Sequence, residues 1–393
     1  MKKLAIIGTV GLPAKYGGFE TLTHHLILNW KNCFSTRVYC SSCSYPEKVK
    51  PKSWKGAQLI YLPFKANGWQ SIIYDMIAIF HALLYAEVIL ILGVSGAAVL
   101  PLVRVFSKKR IIINIDGQEW KRPKWNRLAK AFLKFSEKLA VRYSDEVITD
   151  NTALQRYVIE EYGKESMLIT YGGDHVIHQA WGKEEKDAYP FQAKEYAFKV
   201  ARIEPENNIH LILEAFSRIP DFQLVIVGNW EHSKYGLDLR KEYKHFSHLF
   251  LLDPIYDQKA LDALRSNCKL YLHGHQAGGT NPSLVEAMNL GLPILAYDVS
   301  FNRESMKHQG MYFSNEHELL VRVLNLEEAN LRLHAARMRE LALTHYNWRL
   351  IAKQYEELIF GEESTALTER NKIISKKNKQ RPNSSISLPH YHN

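Results

Sequence analysis

The sequence predicts an α/β protein made of two consecutive units, each built on a parallel β-sheet that is covered by helices. Short apolar runs typical of buried strands alternate with longer segments of helical periodicity up to residue 170, and the alternation resumes at residue 196. The intervening residues 177–191 carry several charges and few periodic apolar positions, which is typical of a linker. A chain of 393 residues with 46% hydrophobic side chains can bury two such cores.

The first unit starts with a strand at residues 4–8 and a glycine-bearing loop that leads into a helix near Phe19. We interpret this apolar start as a strand and not a signal peptide, because Pro13 and Lys15 stand where a cleavage site would lie. The remaining strands are predicted at residues 36–40, 58–62, 88–92, 110–115, 146–149 and 167–170. The remaining helices are predicted at residues 71–85, 97–106 and 153–162, with one more that begins near Pro123.

The second unit repeats the pattern and is followed by two closing helices. Its strands are predicted at residues 197–201, 223–227, 249–252, 270–272 and 293–296, and its helices at 209–216, 258–265, 282–288 and 316–325. The closing helices cover residues 329–344 and 348–360. We therefore predict domains at 1–176 and 196–345, a linker at 177–195, a closing helix at 346–361 and a basic disordered tail at 362–393.

Composition excludes several classes of protein. The net charge is +10, but six basic residues from Arg370 onward contribute more than half of it, so the folded part is too weakly basic to favour a nucleic-acid binder. Four cysteines are too few for a disulfide framework, which favours a cytosolic protein. The uncharged run 88–103 contains glycines and a proline and is too short to span a membrane. The loop that starts at Gly8 lacks the spacing of a dinucleotide-binding fingerprint.

The most informative stretch follows the strand at residues 270–272. Gly278-Gly279 predicts a turn, Thr280 or Asn281 can cap a helix, and Pro282 suits its first position. Unpaired amides and the helix dipole then point at one spot, which is typical of a phosphate site. Glu286 lies about one turn into the helix and could reach hydroxyl groups of the same ligand. An ordinary capped turn is the alternative interpretation.

The other candidate functional residues also have purely structural interpretations. Asp116 follows the strand at residues 110–115, where parallel sheets hold ligands, but a lone aspartate there is also a common turn cap. His273 and His275 are either wall residues or ligands. The helix after Pro123 carries a basic stripe that could rest on anionic lipid or simply face water, with its apolar side in the core. That stripe is Arg127, Lys130, Lys134 and Lys138, and the apolar residues away from it are Trp125, Leu128, Phe132 and Leu139.

With these residues in hand, the chain resembles the glycosyltransferase family 4 enzymes, which have the GT-B architecture of two Rossmann-like domains facing across a cleft. The resemblance covers nearly everything except the tail. It rests on the segment 283–293, on Val200-Ala201-Arg202-Ile203 and on Tyr16-Gly17-Gly18-Phe19-Glu20. Within the family, the segments 8–13, 116–122 and 278–284 are similar to bacterial rhamnosyltransferases of polysaccharide assembly.

The resemblance implies roles for individual residues. It assigns Asp116, Arg202 and Glu286 to catalysis: Glu286 would bind hydroxyls of the donor nucleotide, Arg202 would neutralise the leaving diphosphate and Asp116 would orient the sugar or the acceptor. The implied donor-binding set is Gly17, Gly18, Arg202, Asn207, Gly278, Gly279, Thr280, Asn281 and Glu286. The implied set for acceptor or membrane contact is Glu119, Trp120, Lys121, Arg122, Lys124, Trp125 and Arg127.

Two positions depart from the family pattern. Gly278 stands where relatives carry the first glutamate of a Glu-x7-Glu pair, and Asn207 stands where they carry a lysine five residues after the arginine. The lost glutamate fits a donor sugar with a different hydroxyl pattern, such as a 6-deoxy-L-sugar. The lost lysine leaves Arg202 and backbone dipoles to carry more of the phosphate charge. Both departures also allow a weak or altered enzyme.

The expected function is a retaining, metal-independent hexosyltransferase with no cofactor, moving rhamnose from dTDP-rhamnose to a lipid-linked saccharide. It would work in the cytoplasm, at the inner face of the plasma membrane, with no nucleic-acid partner. Three alternatives stay open: a transferase that uses a UDP-hexose, a nucleotide-sugar epimerase on the same fold, and a non-catalytic membrane-surface binder.

Overall fold

The computed structural model describes residues 1–14, 17–30, 33–45, 50–115, 117–122, 125–189, 191 and 194–361. Within these ranges the chain forms two separate β-sheets with helices on both faces of each. The predicted α/β architecture of two Rossmann-like units is therefore confirmed. The predicted domain limits remain a prediction, and Asp116, Pro123, Lys124 and the tail 362–393 lie outside the described residues.

The first sheet has eight strands in the order β3-β4-β2-β1-β5-β6-β7-β8. All pairings are parallel except that of β3 with β4. The strands are β1 (Lys2–Ile7), β2 (Phe34–Ser41), β3 (Ser53–Trp54), β4 (Ala57–Leu62), β5 (Val88–Leu92), β6 (Arg110–Asn114), β7 (Glu146–Thr149) and β8 (Met167–Leu168). Strand β5 is buried on both faces, as expected for a parallel sheet between helical layers.

Helices cover this sheet from two sides. One face packs against α2 (Gln70–Leu83), α3 (Leu100–Phe106), α4 (Arg127–Tyr143) and α5 (Thr152–Tyr162). The other face packs against α1 (Gly18–Asn29) and the last helix, α14 (Trp348–Phe360). The C-terminal helix thus returns to the first unit, where Lys2 Nζ donates to the carbonyl of Ile359 at 2.9 Å and supports its C-terminal end.

The second sheet has six parallel strands in the order β11-β10-β9-β12-β13-β14. The strands are β9 (Tyr196–Val200), β10 (Gln223–Val227), β11 (Leu249–Leu252), β12 (Leu270–His273), β13 (Ile294–Tyr297) and β14 (Met311–Phe313). The helices of this unit are α7 (Ile209–Ser217), α8 (Lys234–Tyr243), α9 (Gln258–Ser266), α10 (Pro282–Asn289), α11 (Ser300–Ser305), α12 (Glu316–Leu324) and α13 (Glu328–His345).

One predicted helix start was wrong and several short elements were missed, for identifiable reasons. Helix α4 begins at Arg127 and not near Pro123, because the side chain of Asn126 caps it by accepting from the amide of Ala129. The predicted linker contains a short helix, α6 (Lys183–Ala188). Four elements were missed, β3, α8, α11 and β14, because they are very short or lack a continuous apolar stripe.

The orientation predicted for α4 was also partly wrong. Leu128, expected on the buried side, is 83% exposed. Lys134, expected on the basic stripe, is only partly exposed and forms an ion pair with Glu161 at 2.8 Å. No helix within the described part of the chain is both long enough and apolar enough to span a bilayer.

Candidate functional site

The strand order identifies where each sheet can hold a ligand. In the first sheet the chain runs outward from β1 and returns at β5, and in the second it runs outward from β9 and returns at β12. Open parallel sheets bind ligands beyond the carboxyl ends of the strands at such switch points. The loops after β9 and β12 carry Arg202 and the segment 274–281, so both predicted anchors of the diphosphate lie at the switch point of the second sheet.

The start of α10 has the predicted form. Asn281 is the N-cap, and its side-chain oxygen accepts from the amide of Ser283 at 3.0 Å. Pro282 occupies the first turn, where its missing N–H costs no hydrogen bond. Gly278 has a φ of 119°, a conformation that strongly favours glycine, and a Cβ built there would meet no atom within 4 Å. The space beside Gly278 is therefore open.

Glu286 is held by partners on both sides. Its Oε2 lies 2.7 Å from Nη2 of Arg265, which is 1% exposed, and its Oε1 lies 3.3 Å from Nε2 of His175. The indole of Trp348 can only donate, and its Nε1 donates to His175 Nδ1 at 3.0 Å. The proton of a neutral His175 is therefore on Nε2 and points at the carboxylate. Glu286 keeps two acceptor positions for hydroxyl groups.

The charge state of Glu286 follows from these contacts. Burial alone would raise its pKa, but the Arg265 guanidinium and the hydrogen bond from His175 outweigh burial and lower the pKa below the usual range. Asp262 lies 3.4 Å from Arg265 on its other side, so this guanidinium joins two carboxylates. The residue predicted to bind hydroxyls is thus an oriented, ionised acceptor.

Arg202 is positioned differently. Its side chain is about half-exposed, and its Nε lies 3.8 Å from Glu204, a distance too long for a hydrogen bond. Its charge reaches the cleft, since it contributes to lowering the pKa of His275. Asn207 is buried and its amide donates to the carbonyl of Arg202 at 2.7 Å, which shapes the loop. Arg202 is therefore available to an incoming anion.

Three glycines of the first unit, Gly17, Gly18 and Gly117, lie near this site. A Cβ at Gly18 would lie 3.9 Å from Pro282, so the amino ends of α1 and α10 face each other. A Cβ at Gly117 would lie 2.8 Å from the Cα of Gly278. Gly17 caps α1 with a φ of 124°. Two helix amino ends that converge on one gap create a positive potential suited to a phosphate group.

One acidic group already lies at this gap. The hydroxyl of Thr280 donates to the carbonyl of Asp150, which follows β7, at 2.5 Å. A Cβ at Gly279 would overlap the Asp150 carboxylate. An acidic side chain therefore touches the turn before α10, and the two units meet through polar contacts at this point.

Three basic side chains with buried nitrogen atoms, Lys199, His273 and His275, lie at the ends of β9 and β12, next to the loops that carry the candidate site. Lys199 on β9 is fully buried, and its Nζ has no hydrogen-bond partner among the described residues. A Cβ at Gly274 would lie 3.1 Å from that ammonium. The rings of His273 and His275 stack with centroids 4.5 Å apart, and burial, with the nearby Lys199, holds the pKa of both rings well below their usual value. Within the described ranges these histidines belong to no cluster of three or more side chains that could hold a metal.

Lys199→Met should change how the free energy of unfolding depends on pH. Burial lowers the pKa of Lys199 to about 7, whereas an unfolded lysine titrates near about 10.4. Between these values the unfolded chain binds one more proton, so wild-type stability should rise with pH by up to about 1.4 kcal/mol per unit from this group. Urea unfolding at pH 7, 8 and 9 should show a smaller rise for Lys199→Met. The matched control, the exposed Lys259→Met, should keep the wild-type slope, and equal slopes in all three proteins would contradict the buried assignment.

Of the described residues predicted for acceptor or membrane contact, some are exposed and the others are partly buried. Glu119 and Arg122 pair with each other at 2.6 Å, and Arg122 also reaches Glu206 of the second unit at 3.7 Å. Lys121 and Arg127 are exposed. The remaining described residues are partly buried, with Trp125 donating to Glu119 at 2.9 Å and the Trp120 ring lying beside the ammonium of Lys134.

Sequence reasoning missed two parts of the site. Arg265 was identifiable in principle, because Asp262 and Arg265 stand three residues apart on the otherwise apolar face of α9. The second part is the group formed by His25, His175 and Trp348, where His25 stacks on Trp348 with centroids 4.5 Å apart. These three residues come from α1, the segment after β8 and α14, so no local pattern could connect them.

Comparisons with known proteins match the two units to different families. Residues 1–174 match a family described as a domain of unknown function, DUF1972, and residues 183–340 match the family described as glycosyl transferases group 1. The second match contains Arg202, Arg265, α10 and Glu286.

Solved structures share the whole arrangement. Sucrose-phosphate synthase from Thermosynechococcus elongatus is similar with a TM-score of 0.77 at 17% identity, over 91% of this chain and 98% of that one. Anabaena HepE in complex with UDP-glucose is similar with a TM-score of 0.71 at 16% identity, over 92% and 100%. The catalytic domain of Arabidopsis thaliana starch synthase IV, bound to ADP and acarbose, is similar with a TM-score of 0.67 at 13% identity, over 91% and 98%. The shared fold is GT-B, as the sequence resemblance implied.

Proposed function

We propose that this GT-B glycosyltransferase moves rhamnose from dTDP-rhamnose, with retention of configuration, to a lipid-linked saccharide in bacterial surface polysaccharide assembly. The observation that supports it most is the grouping of Arg202, the amino end of α10 and the anchored Glu286 at one switch point. This grouping offers charge for a diphosphate and acceptors for hydroxyl groups at the end of one sheet.

The chemistry assigned to the site is displacement of a diphosphate. The bond between the sugar C1 and the β-phosphate oxygen breaks, and its electron pair stays on the phosphate. The acceptor oxygen forms the new bond to C1 on the same face, and its proton passes to the leaving phosphate oxygen. Arg202 and the amides before α10 interact more strongly as negative charge grows, which lowers the barrier. Metal independence is part of this proposal, because guanidinium and amide dipoles take the place of a cation.

The choice of a 6-deoxy sugar is supported by the surroundings of Gly278. The pattern of the family that the sequence resembles often has a glutamate at this position, whereas here a side chain is absent and the adjoining space is open. A donor sugar with fewer or differently placed hydroxyls leaves no unsatisfied partner there. Anabaena HepE was solved with UDP-glucose, so a UDP-hexose is the main competing donor.

The acceptor places the protein at the inner face of the plasma membrane. A lipid-linked saccharide keeps its lipid in the bilayer and presents the sugar to the cytoplasm, so the cleft must lie near the membrane surface. Asp116 would orient the donor sugar or the acceptor hydroxyl in this scheme.

A donor screen tests the proposal. The full-length protein is incubated with a polyprenyl-diphosphate monosaccharide and, separately, dTDP-rhamnose, UDP-glucose or ADP-glucose, in EDTA without added Mg²⁺. We expect mass spectrometry to show the addition of one deoxyhexose from dTDP-rhamnose and unchanged turnover in EDTA. Addition of a hexose would replace the donor assignment, and conversion of a nucleotide sugar without acceptor would indicate an epimerase. Absence of turnover with every donor would overturn the transferase.

A further inference from the structure

The first unit exposes large apolar side chains on one of its faces, and the proposed chemistry does not use them. On α2 the exposed large apolar residues are spaced by three or four positions and form one stripe: Trp69, Ile73, Ile77, Phe80 and Leu84. The opposite side of α2 is also apolar and packs on the sheet through Tyr74, Ala78, Ile79 and Ala82. A helix that is apolar on all sides is normally buried in protein or placed in contact with lipid.

Neighbouring helices extend this stripe. Helices α2, α3 and α4 cover the same face of the first sheet. Helix α3 exposes Leu102, Val105 and Phe106, the last at 76%, and α4 exposes Leu128 and Phe135. We call the exposed sides of these three helices the α2–α4 face. Large clustered apolar surfaces are unusual on monomeric proteins and mark interaction sites.

The exposed Lys and Arg side chains within the three helices of the α2–α4 face are Arg127, Lys138 and Arg142. Asp145, two residues after α4, is exposed but pairs with Arg104 at 2.7 Å. The two acidic residues within the three helices, Asp75 and Glu137, are 3% and 1% exposed. A partner must therefore combine an apolar interior with negative groups at its surface. An anionic lipid bilayer has both properties, with acyl chains for the apolar side chains and headgroups for the bases.

The topology relates this face to the cleft. In a parallel sheet, each helix begins at the carboxyl ends of the strands, which is the edge that faces the second unit. Trp69 is the N-cap residue of α2, and Leu128 lies in the first turn of α4, so both residues lie at the cleft end of the face. Leu84 and Phe106 end their helices and lie at the opposite end. A bilayer along this face would pass beside the mouth of the cleft.

We infer that the α2–α4 face is the surface by which this chain binds an anionic lipid bilayer, with the α2 stripe inserted at the level of the acyl chains. The inference rests on the proposed function for its purpose, which is access to a lipid-linked acceptor. It differs from the surface expected from sequence, the stripe along α4, because Lys134 of that stripe is only partly exposed and pairs with Glu161, while the large apolar residues of α2 are exposed.

Vesicle sedimentation of the full-length protein tests the inference. The test variant is Ile77→Glu/Phe80→Glu on α2, and the control variant is Leu333→Glu/Leu343→Glu, two apolar residues on α13 that are somewhat more exposed. Vesicles contain phosphatidylcholine alone or with phosphatidylglycerol. We expect wild type and the control to bind the anionic vesicles, and the α2 variant to bind at least tenfold more weakly. Circular dichroism and thermal unfolding verify that both variants are folded.

The outcomes separate this inference from the proposed function. Equal binding by the α2 variant and wild type, or failure of wild type to bind anionic vesicles, would overturn the lipid assignment. Light scattering could instead show that wild type and the control are dimers that bind no vesicles, and that the α2 variant is a monomer. That result would assign the face to a second copy of the chain and would also overturn the lipid assignment. Turnover of a water-soluble, short-chain acceptor is measured in parallel and should be equal in wild type and both variants. Its complete absence would count against the transferase and not against the lipid surface.

Discussion

Replacing Arg265 with methionine is expected to lower the free energy of unfolding by about 3–5 kcal/mol and to abolish sugar transfer. The reason is that Arg265, which is 1% exposed, is the cation shared by Glu286 and Asp262. Methionine fills similar volume but leaves two carboxylates at a buried site without their charge partner. Glu286 would then take up a proton or move, and either change removes the ionised acceptor from the proposed donor site. Urea unfolding and initial transfer rates measure the two effects.

Two further variants test whether the effect comes from the buried ion pair. Arg240 pairs with Asp253 at 2.7 Å near the surface, so Arg240→Met should cost less than about 1 kcal/mol. The double variant Arg265→Met/Glu286→Gln removes one of the unpaired charges and should regain part of the stability without regaining activity. If Arg265→Met unfolds at the wild-type urea midpoint, the ion pair does not hold the site together. Full activity in Glu286→Ala would show that the carboxylate has no part in transfer.

Replacing Arg202 with alanine is expected to reduce kcat by about 100- to 1000-fold, the usual effect of losing one donor to a developing oxyanion. Stability should change by less than about 0.5 kcal/mol, because the side chain is half-exposed and its ion pair with Glu204 is long. Arg202→Lys keeps the charge but loses the planar guanidinium, so it should recover only part of the rate. The control is Arg218→Ala, an exposed arginine on the same unit, which should be fully active. Wild-type kcat in Arg202→Ala would remove this residue from the mechanism.

The amino-acid sequence predicted most of the architecture because the features that specify strands, turns and helices are local. Strand and helix periods, the glycines and the N-cap before Pro282 are read from neighbouring residues, and the structure places α10 as those signals predicted. The resemblance to family 4 enzymes rested on equally local motifs, and the GT-B fold it implied is confirmed. The start of α4 was wrong because two capping signals, Pro123 and Asn126, compete within four residues.

Other features depend on which strands become neighbours, and no periodicity encodes that. The placement of β5 beside β1 and of β12 beside β9 creates the two switch points. Packing of α9 against β9 places Arg265 beside Glu286, and the return of α14 to the first unit brings Trp348 to His175. The exposure of the α2 stripe is likewise a tertiary result, because an apolar helix in this composition would ordinarily be buried.

Local sequence thus predicted the two α/β units, the capped helix that follows the Gly278-Gly279 turn, and Glu286 as a residue able to reach its ligand, while the family resemblance added Arg202. Tertiary contacts defined the charge state of Glu286, the open space beside Gly278 and the apolar face of the first unit. The physical reason is range: hydrogen-bonded turns and side-chain periodicity act over a few residues, whereas burial and ion pairing depend on groups that are distant in the chain.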